Sequence, residues 1–125
     1  RIRCGGNGLG GFYTPTGAGT ELAHGKETRM INGREHVLEL ALRADFVFLK
    51  AHLGDRFGNL SYRGTMRNFN MVMASAGDSV VAEVDQIVPA GSIEPEHVHT
   101  PGIFVDHLVE VERLPKLLEI PKEGA

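Results

Sequence analysis

Ala44-Asp45-Phe46-Val47-Phe48-Leu49-Lys50-Ala51 is the stretch on which the fold turns. Its centre is continuously apolar, β-branched and aromatic. A strand with one wet face alternates apolar and polar residues. A run like this one predicts a strand buried on both faces, as in a parallel sheet. Ser79-Val80-Val81-Ala82-Glu83-Val84 predicts a second strong strand, and Ile103 to Val111, entered through Pro101-Gly102, a third. Between them, Gly54 to Asn59 reads as a loop and Leu60 to Tyr62 as a short strand. Asn68 or Asn70 is placed to cap a helix through Met71-Val72-Met73-Ala74-Ser75-Ala76 that stops at Gly77. Strands separated by helix or long loop argue for an α/β fold.

Upstream, Lys26 to Ile31, then Asn32-Gly33, then Arg34 to Leu40 predicts a β-hairpin. Asn-Gly is the strongest two-residue hairpin signal, because a type I′ turn needs positive φ twice. Before the hairpin lies Gly5-Gly6-Asn7-Gly8-Leu9-Gly10-Gly11-Phe12-Tyr13-Thr14-Pro15-Thr16-Gly17-Ala18-Gly19-Thr20. Each glycine costs about 0.5–1 kcal/mol in ordering entropy against alanine. Such density implies tight turns packed on a surface, or backbone N–H groups aimed at an anion or carbonyl oxygen. Gly6-x-Gly8-x-x-Gly11 fits a dinucleotide fingerprint, but that motif needs a strand before it and a helix after it. Pro15 and Gly17 forbid the helix, which argues against dinucleotide binding.

The 125 residues suit one domain, and 42% hydrophobic content supports a real core. A net charge of −3 and a pI near 6.1 point away from nucleic acid and anionic membranes. A lone cysteine, Cys4, excludes an internal disulfide and fits a reducing compartment. No apolar run has the length of a membrane span. The chain opens on Arg1 directly at the glycine segment, which reads as a domain lacking its N-terminal part. From Glu112 it becomes charged and proline-interrupted, as in a tail or linker over 112–125.

Candidate chemistry is sparse. His97-Val98-His99 invites a metal, yet a site needs three or four ligands and none follows at a suitable spacing. Cys4 reads as a small apolar residue rather than a nucleophile. Arg67, Asn68 and Asn70 supply donors at the entrance of an apolar helix, where they either bind an anion or simply cap and solvate.

Taken together, the motifs resemble the α subunit of the family I 3-oxoacid CoA-transferases. The resemblance runs through Arg1-Ile2-Arg3-Cys4-Gly5-Gly6, Gly8-Leu9-Gly10-Gly11-Phe12, Thr14-Pro15-Thr16-Gly17 and Gly25-Lys26-Glu27. It continues through Gly58-Asn59-Leu60, Arg67-Asn68-Phe69-Asn70 and His99-Thr100-Pro101-Gly102-Ile103, covering Arg1 to about Val111. It implies a CoA-transferase-like, mostly parallel sheet with helices and a β-hairpin, here as the C-terminal part of the α-subunit domain over 1–111.

The resemblance also implies a mechanism. A glutamate attacks an acyl-CoA thioester, and CoA passes through a glutamyl-CoA thioester to an acceptor acid. Oxyanion donors in comparable sites contribute about 3–4 kcal/mol each. CoA is a substrate, and no metal or other cofactor is implied. In such families the glutamate sits in a Ser-Glu-Asn-Gly motif of the β subunit, which this chain lacks. This chain is therefore expected to offer an active-site wall, built from Gly8, Gly10, Gly11, Phe12, Thr14, Pro15, Thr16, Arg67 and Asn68. The expected partner is a β subunit in an α2β2 or similar assembly, in the cytoplasm or a mitochondrial matrix. The alternative is a non-catalytic module of the same fold that binds acyl-CoA or a partner.

Overall fold

The computed structural model describes residues 1–112. The chain forms two sheets joined through short helices. The first sheet is antiparallel, in the order β1-β3-β2, from β1 (Gly11–Thr14), β2 (Thr28–Ile31) and β3 (Arg34–Leu40). Asn32 and Gly33 take φ of 49° and 73°, so the β2–β3 turn is the type I′ hairpin that Asn-Gly predicts.

The second sheet has the order β5-β4-β6-β7. It is built on two twelve-residue strands, β4 (Ala44–Asp55) and β6 (Gly77–Val88), which run parallel. β7 (His107–Glu110) pairs parallel to β6, and β5 (Leu60–Ser61) pairs antiparallel to the end of β4. The fold is α/β with a mostly parallel main sheet, as expected. Ile103 to Phe104 belong instead to a 3-10 turn, Gly102–Phe104, so the third strand is shorter than its apolar composition suggests.

Two short helices flank this sheet. α1 (Ile2–Gly6) departs from expectation, because Gly5 and Gly6 read as loop. Both are glycines of close approach. A Cβ on Gly5 would lie 2.2 Å from the Leu42 carbonyl oxygen, and one on Gly6 2.1 Å from Ser75 Oγ. α2 (Asn70–Ala74) falls inside the predicted helix, but no side chain caps it. Asn70 instead ties the helix to the sheet. Its amide donates to the Met66 carbonyl at 2.8 Å, and its Oδ1 accepts from the Lys50 N–H at 3.2 Å.

The core lies on one face of the main sheet. Val47, Leu49 and Ala51 of β4 and Val80, Ala82 and Val84 of β6 are buried there, with Leu60, Tyr62 and Ala74 packed over them. Burying each larger side chain contributes about 1.5–3 kcal/mol. The other face differs from expectation: Phe46 is 66% and Phe48 71% exposed, so β4 is covered on one side only within these residues.

Asp55, wholly buried, fastens the C-terminal ends of the long strands. It accepts from the N–H groups of Phe57 at 2.9 Å and Asn59 at 3.0 Å, from Asn59 Nδ2 at 3.0 Å, and from the Gly91 N–H at 3.1 Å. Burial alone would raise its pKa, but these donors outweigh it and hold the carboxyl below its ordinary value. Among the described residues no helix is long and apolar enough to cross a membrane. Apart from Glu112, the tail expected over 112–125 lies outside the described residues.

Candidate functional site

The glycine segment changes structure three times. α1 ends where the Leu9 N–H reaches the Cys4 carbonyl at 2.9 Å, and Gly8 turns the chain at φ 70°. The Gly10 carbonyl then accepts from the Ala41 N–H at 3.0 Å, and Gly11 opens β1 opposite Leu40. After β1, Thr14 Oγ1 accepts from the Thr16 N–H at 3.1 Å and tightens the turn at Pro15. The segment read as one loop therefore contains half a helix and a strand.

The two glycines at the start of β1 are bare for different reasons. A Cβ on Gly11 would sit 2.6 Å from the Glu39 carbonyl oxygen, so strand pairing accounts for Gly11. A Cβ on Gly10 would meet nothing within 4 Å. Among the described glycines of ordinary φ, Gly10 alone has no neighbour that explains it. Gly11, expected in the wall, is thus also a residue of close packing within the chain.

Beside this segment lies a cavity of about 510 Å³. Phe12 and Thr14 reach it from one face of β1, since alternate strand residues share a face, and Thr16 follows. Across from them stand Arg1, Lys26 and Glu39. Lys26 Nζ is hydrogen-bonded to Glu39 Oε1, and Arg1 Nε lies 3.6 Å from Oε2 and donates to the Leu40 carbonyl at 2.8 Å. The Lys26 hydrogen bond, with the Arg1 charge behind it, holds the Glu39 carboxyl below its ordinary value. On the opposite face of β1, Tyr13 hydrogen-bonds Glu27, and the Arg29 guanidinium lies 4.9 Å from the Tyr13 ring centre.

A second cavity, of about 460 Å³, adjoins the first at Arg1 and is lined by Arg3, Leu42, Asn68 and Phe69 among others. Asn68 thus joins the neighbourhood of the glycine segment. Arg67, its neighbour in sequence, does not line this cavity. It is exposed at the end of the 3-10 turn Gly64–Arg67, and its charge acts on His99. Of the nine expected wall residues, Gly8 and Gly10 are open backbone, Phe12, Thr14 and Thr16 line the first cavity and Asn68 the second, while Gly11 packs on Glu39 and Pro15 and Arg67 line neither cavity.

His97 and His99 do not share a strand face. His97 ends a 3-10 turn, Pro95–His97. His99 stacks on Tyr62 with ring centres 5.9 Å apart, and its Nδ1 accepts from the Tyr62 N–H at 2.9 Å. That leaves Nδ1 unable to ligate and places the ring proton on Nε2. Among the described residues no three His, Cys, Asp or Glu side chains are grouped to hold a metal ion.

Arg1, Arg3, Lys26 and Glu39 do not stand out as site residues in the sequence. The alternation along β3 carries the signal for Glu39. It becomes readable only once Phe12 to Thr14 are known to be a strand, with Phe12 opposite Glu39. Chemically, the first cavity offers an aromatic ring, two threonine hydroxyls and two cations around one carboxylate, next to backbone without side chains. Such a surface can orient an anionic or carbonyl-bearing ligand.

Residues 1–111 match the family model for coenzyme A transferase. The 3-oxoadipate CoA-transferase of Pseudomonas putida has a subunit that is 56% identical over 111 residues, 89% of this chain and 48% of that protein. The succinyl-CoA:3-ketoacid coenzyme A transferase of Helicobacter pylori (strain J99) has one that is 48% identical over 118 residues, 94% of this chain and 51% of that protein. The α subunit of the acetate CoA-transferase of Escherichia coli K12 is 47% identical over 109 residues, 87% of this chain and 50% of that protein. The chain spans about half the length of these curated relatives. Among solved structures, an acyl-CoA transferase from E. coli O157:H7, in a thioester complex with CoA, matches with a TM-score of 0.77. The identity there is 20%, over 88% of this chain and 25% of that one, which is a likeness of fold.

Proposed function

The chain belongs to the coenzyme A transferase family, and on that premise we propose that it is part of the α subunit of a CoA-transferase. In this reading the enzyme moves CoA between an acyl-CoA and a short-chain carboxylic or 3-oxo acid. The observation that carries it is Gly10, a glycine that the chain's own packing and φ do not require, two residues before Phe12, which lines a cavity with cations and hydroxyls. A bare backbone there gives a thioester room to approach.

The reacting carboxylate belongs to the partner β subunit. It attacks the thioester carbonyl, and CoA leaves as thiolate to give an acyl-glutamyl anhydride. The thiolate then attacks the glutamyl carbonyl of that anhydride, releasing the acyl group as a carboxylate and leaving glutamyl-CoA. An acceptor carboxylate reverses the path. Glu39 is not offered for this role, because Lys26 and Arg1 already hold its carboxylate. Phe12, Thr14, Thr16 and Asn68 line the cleft, with Gly8 and Gly10 as its open backbone and Pro15 setting the turn. Arg67, exposed at the end of its 3-10 turn, is the cation offered to an anionic substrate. The assembly is of α2β2 or similar type and works in the cytoplasm or a mitochondrial matrix, on CoA as substrate and without a further cofactor.

The test is reconstitution of the full α subunit with its β subunit. The pair is expected to exchange CoA between acyl-CoA and a panel of short acids, and borohydride is expected to trap a glutamyl-CoA adduct on the β chain. No exchange and no adduct would leave a non-catalytic binding module instead.

A further inference from the structure

A single side-chain amide joins the turn that carries Arg67 and Asn68 to the main sheet. The backbone of this turn bonds only to itself. The Met66 N–H donates to the Arg63 carbonyl at 3.3 Å and the Asn68 N–H to the Thr65 carbonyl at 3.0 Å. The Phe69 carbonyl accepts from the N–H groups of Val72 at 3.0 Å and Met73 at 2.9 Å. Among the described residues, one hydrogen bond carries residues 63–70 to a strand: the Lys50 N–H, midway along β4, donates to Asn70 Oδ1 at 3.2 Å. The other end of that amide, Nδ2, donates to the Met66 carbonyl at 2.8 Å, inside the 3-10 turn Gly64–Arg67.

Both bonds need an amide. A carboxylate accepts but cannot donate, and an aliphatic side chain does neither. Asn70 is also free for this work, because it does not cap α2. The C-terminal end of α2 is fixed differently, by packing: a Cβ on Gly6 of α1 would lie 2.1 Å from Ser75 Oγ. Close packing therefore sets one end of α2, and the Asn70 bridge sets the other, together with the turn before it. Arg67 and Asn68, both exposed, stand between the two atoms that the bridge ties down. Asn68 faces the second cavity, beside Arg1, Arg3 and Phe69.

We propose that Asn70 is a positioning residue for substrate. By bridging β4 to the turn Gly64–Arg67, it holds Arg67 and Asn68 where they meet the ligand. This rests on the CoA-transfer reading, which supplies that ligand. Position matters because a shift of about 1 Å in an orienting group can cost about a hundredfold in rate. Asn70 itself is half-buried, and both ends of its amide are taken by backbone, so it acts through its neighbours and not by touching substrate.

The experiment uses the α subunit expressed from its whole reading frame and reconstituted with its β subunit. N70A is expected to raise the KM for the acceptor acid at least about tenfold and to change kcat less than about threefold, because it displaces binding groups and leaves the reacting carboxylate in place. In an R67A/N68A background the same substitution is expected to change kcat/KM less than about twofold, since the side chains it positions are gone. An equal loss in both backgrounds would show Asn70 acting on the fold at large and would overturn the proposal, as would wild-type kinetics in N70A. N70D keeps the acceptor for Lys50 and loses the donor to Met66. It is expected to lower kcat/KM at least about fivefold. It carries the test should N70A not fold, and wild-type kinetics in N70D also overturn the proposal. Amide hydrogen exchange on the same complexes reads the bridge without turnover. The Lys50 amide is expected to exchange at least about tenfold faster in N70A than in wild type and to stay protected in N70D, with Leu49 and Ala51 unchanged in both. Unchanged exchange at Lys50 in N70A would overturn the proposal. A wild-type pair that moves no CoA would fail the CoA-transfer reading and this role with it. An active wild type beside an unaltered N70A would fail this role alone.

Discussion

The two faces of the main sheet share the same strands and the same backbone hydrogen bonds, yet only one is closed. Val47, Leu49, Val80 and Val84 lie under Leu60, Tyr62 and α2, while Phe46, Phe48 and Val109 face outward. Adjacent residues of one apolar run thus have opposite surroundings. The difference teaches that a continuous apolar run records how a strand is buried in the whole molecule, not in the stretch at hand. The same contrast recurs at Gly10 and Gly11, where one glycine is explained by the Glu39 carbonyl and the other has no neighbour among the described residues.

The largest effect is expected on the closed side. Asp55→Ala removes a buried carboxylate and orphans three backbone N–H groups, at a cost of about 3–5 kcal/mol. Denaturant titration of the α subunit would measure this. A loss below about 1 kcal/mol would mean that water satisfies those donors and that Asp55 does not fasten the strand ends.

Leu60→Ala and Phe48→Ala set the two faces against each other. Leu60 is wholly buried, and its truncation should cost about 2–5 kcal/mol. If the open face is covered in the whole subunit, Phe48→Ala should cost about 3 kcal/mol there as well. A value within about 0.5 kcal/mol of wild type is what an exposed side chain gives, and it would leave the asymmetry real in the complete protein.

The glycine pair separates stability from activity. Gly11→Val drives a side chain into the Glu39 carbonyl and should destabilise the fold clearly, by about 1–3 kcal/mol or more. Gly10→Val meets nothing in the chain and should leave stability within about 0.5 kcal/mol of wild type. In the reconstituted enzyme it should nevertheless lower CoA exchange by at least about tenfold, equivalent to about 1.4 kcal/mol. Full turnover in Gly10→Val would remove the observation on which the functional reading rests.

Much of the fold was legible because its signals are local. Asn32-Gly33 specifies its own turn, and the apolar runs at Phe46 to Leu49 and Val80 to Val84 specify parallel strands. α1 and β1 were not legible. Their glycines are dictated by distant atoms, the Leu42 carbonyl, Ser75 Oγ and the Glu39 carbonyl, and a sequence does not display what lies across so wide a separation. The cavity was half legible for the same reason. Phe12, Thr14 and Thr16 stand together in sequence, whereas Lys26 and Glu39 join them only through the β1–β3 register. Asn70 misled because asparagine before an apolar helix is normally a cap, and here its amide serves the edge of β4.

The smallest effect tests whether His99 belongs to the closed side. Its Nδ1 already accepts a hydrogen bond from the Tyr62 N–H, so protonation there would set donor against donor. Burial chiefly, then the charges of Arg67 and His97, lowers its pKa below the ordinary value of 6.5. The unfolded chain therefore binds the proton first as pH falls. The contribution of His99 to stability is complete above about pH 6.5 and is lost as pH drops through the folded-state value. Asp55, whose pKa is lowered from 3.8, loses its contribution only at more acidic pH, so comparing wild type with His99→Gln between about pH 7 and pH 5 reads the contribution of this histidine. Wild-type α subunit should unfold at a lower temperature at about pH 5 than at about pH 7. His99→Gln should narrow that difference, and Arg67→Ala should narrow it less, because burial outweighs charge at this ring. If Arg67→Ala abolished the pH dependence while His99→Gln left it unchanged, the histidine would be a surface residue under a surface charge. The stacking on Tyr62 would then contribute nothing to holding the end of the closed face.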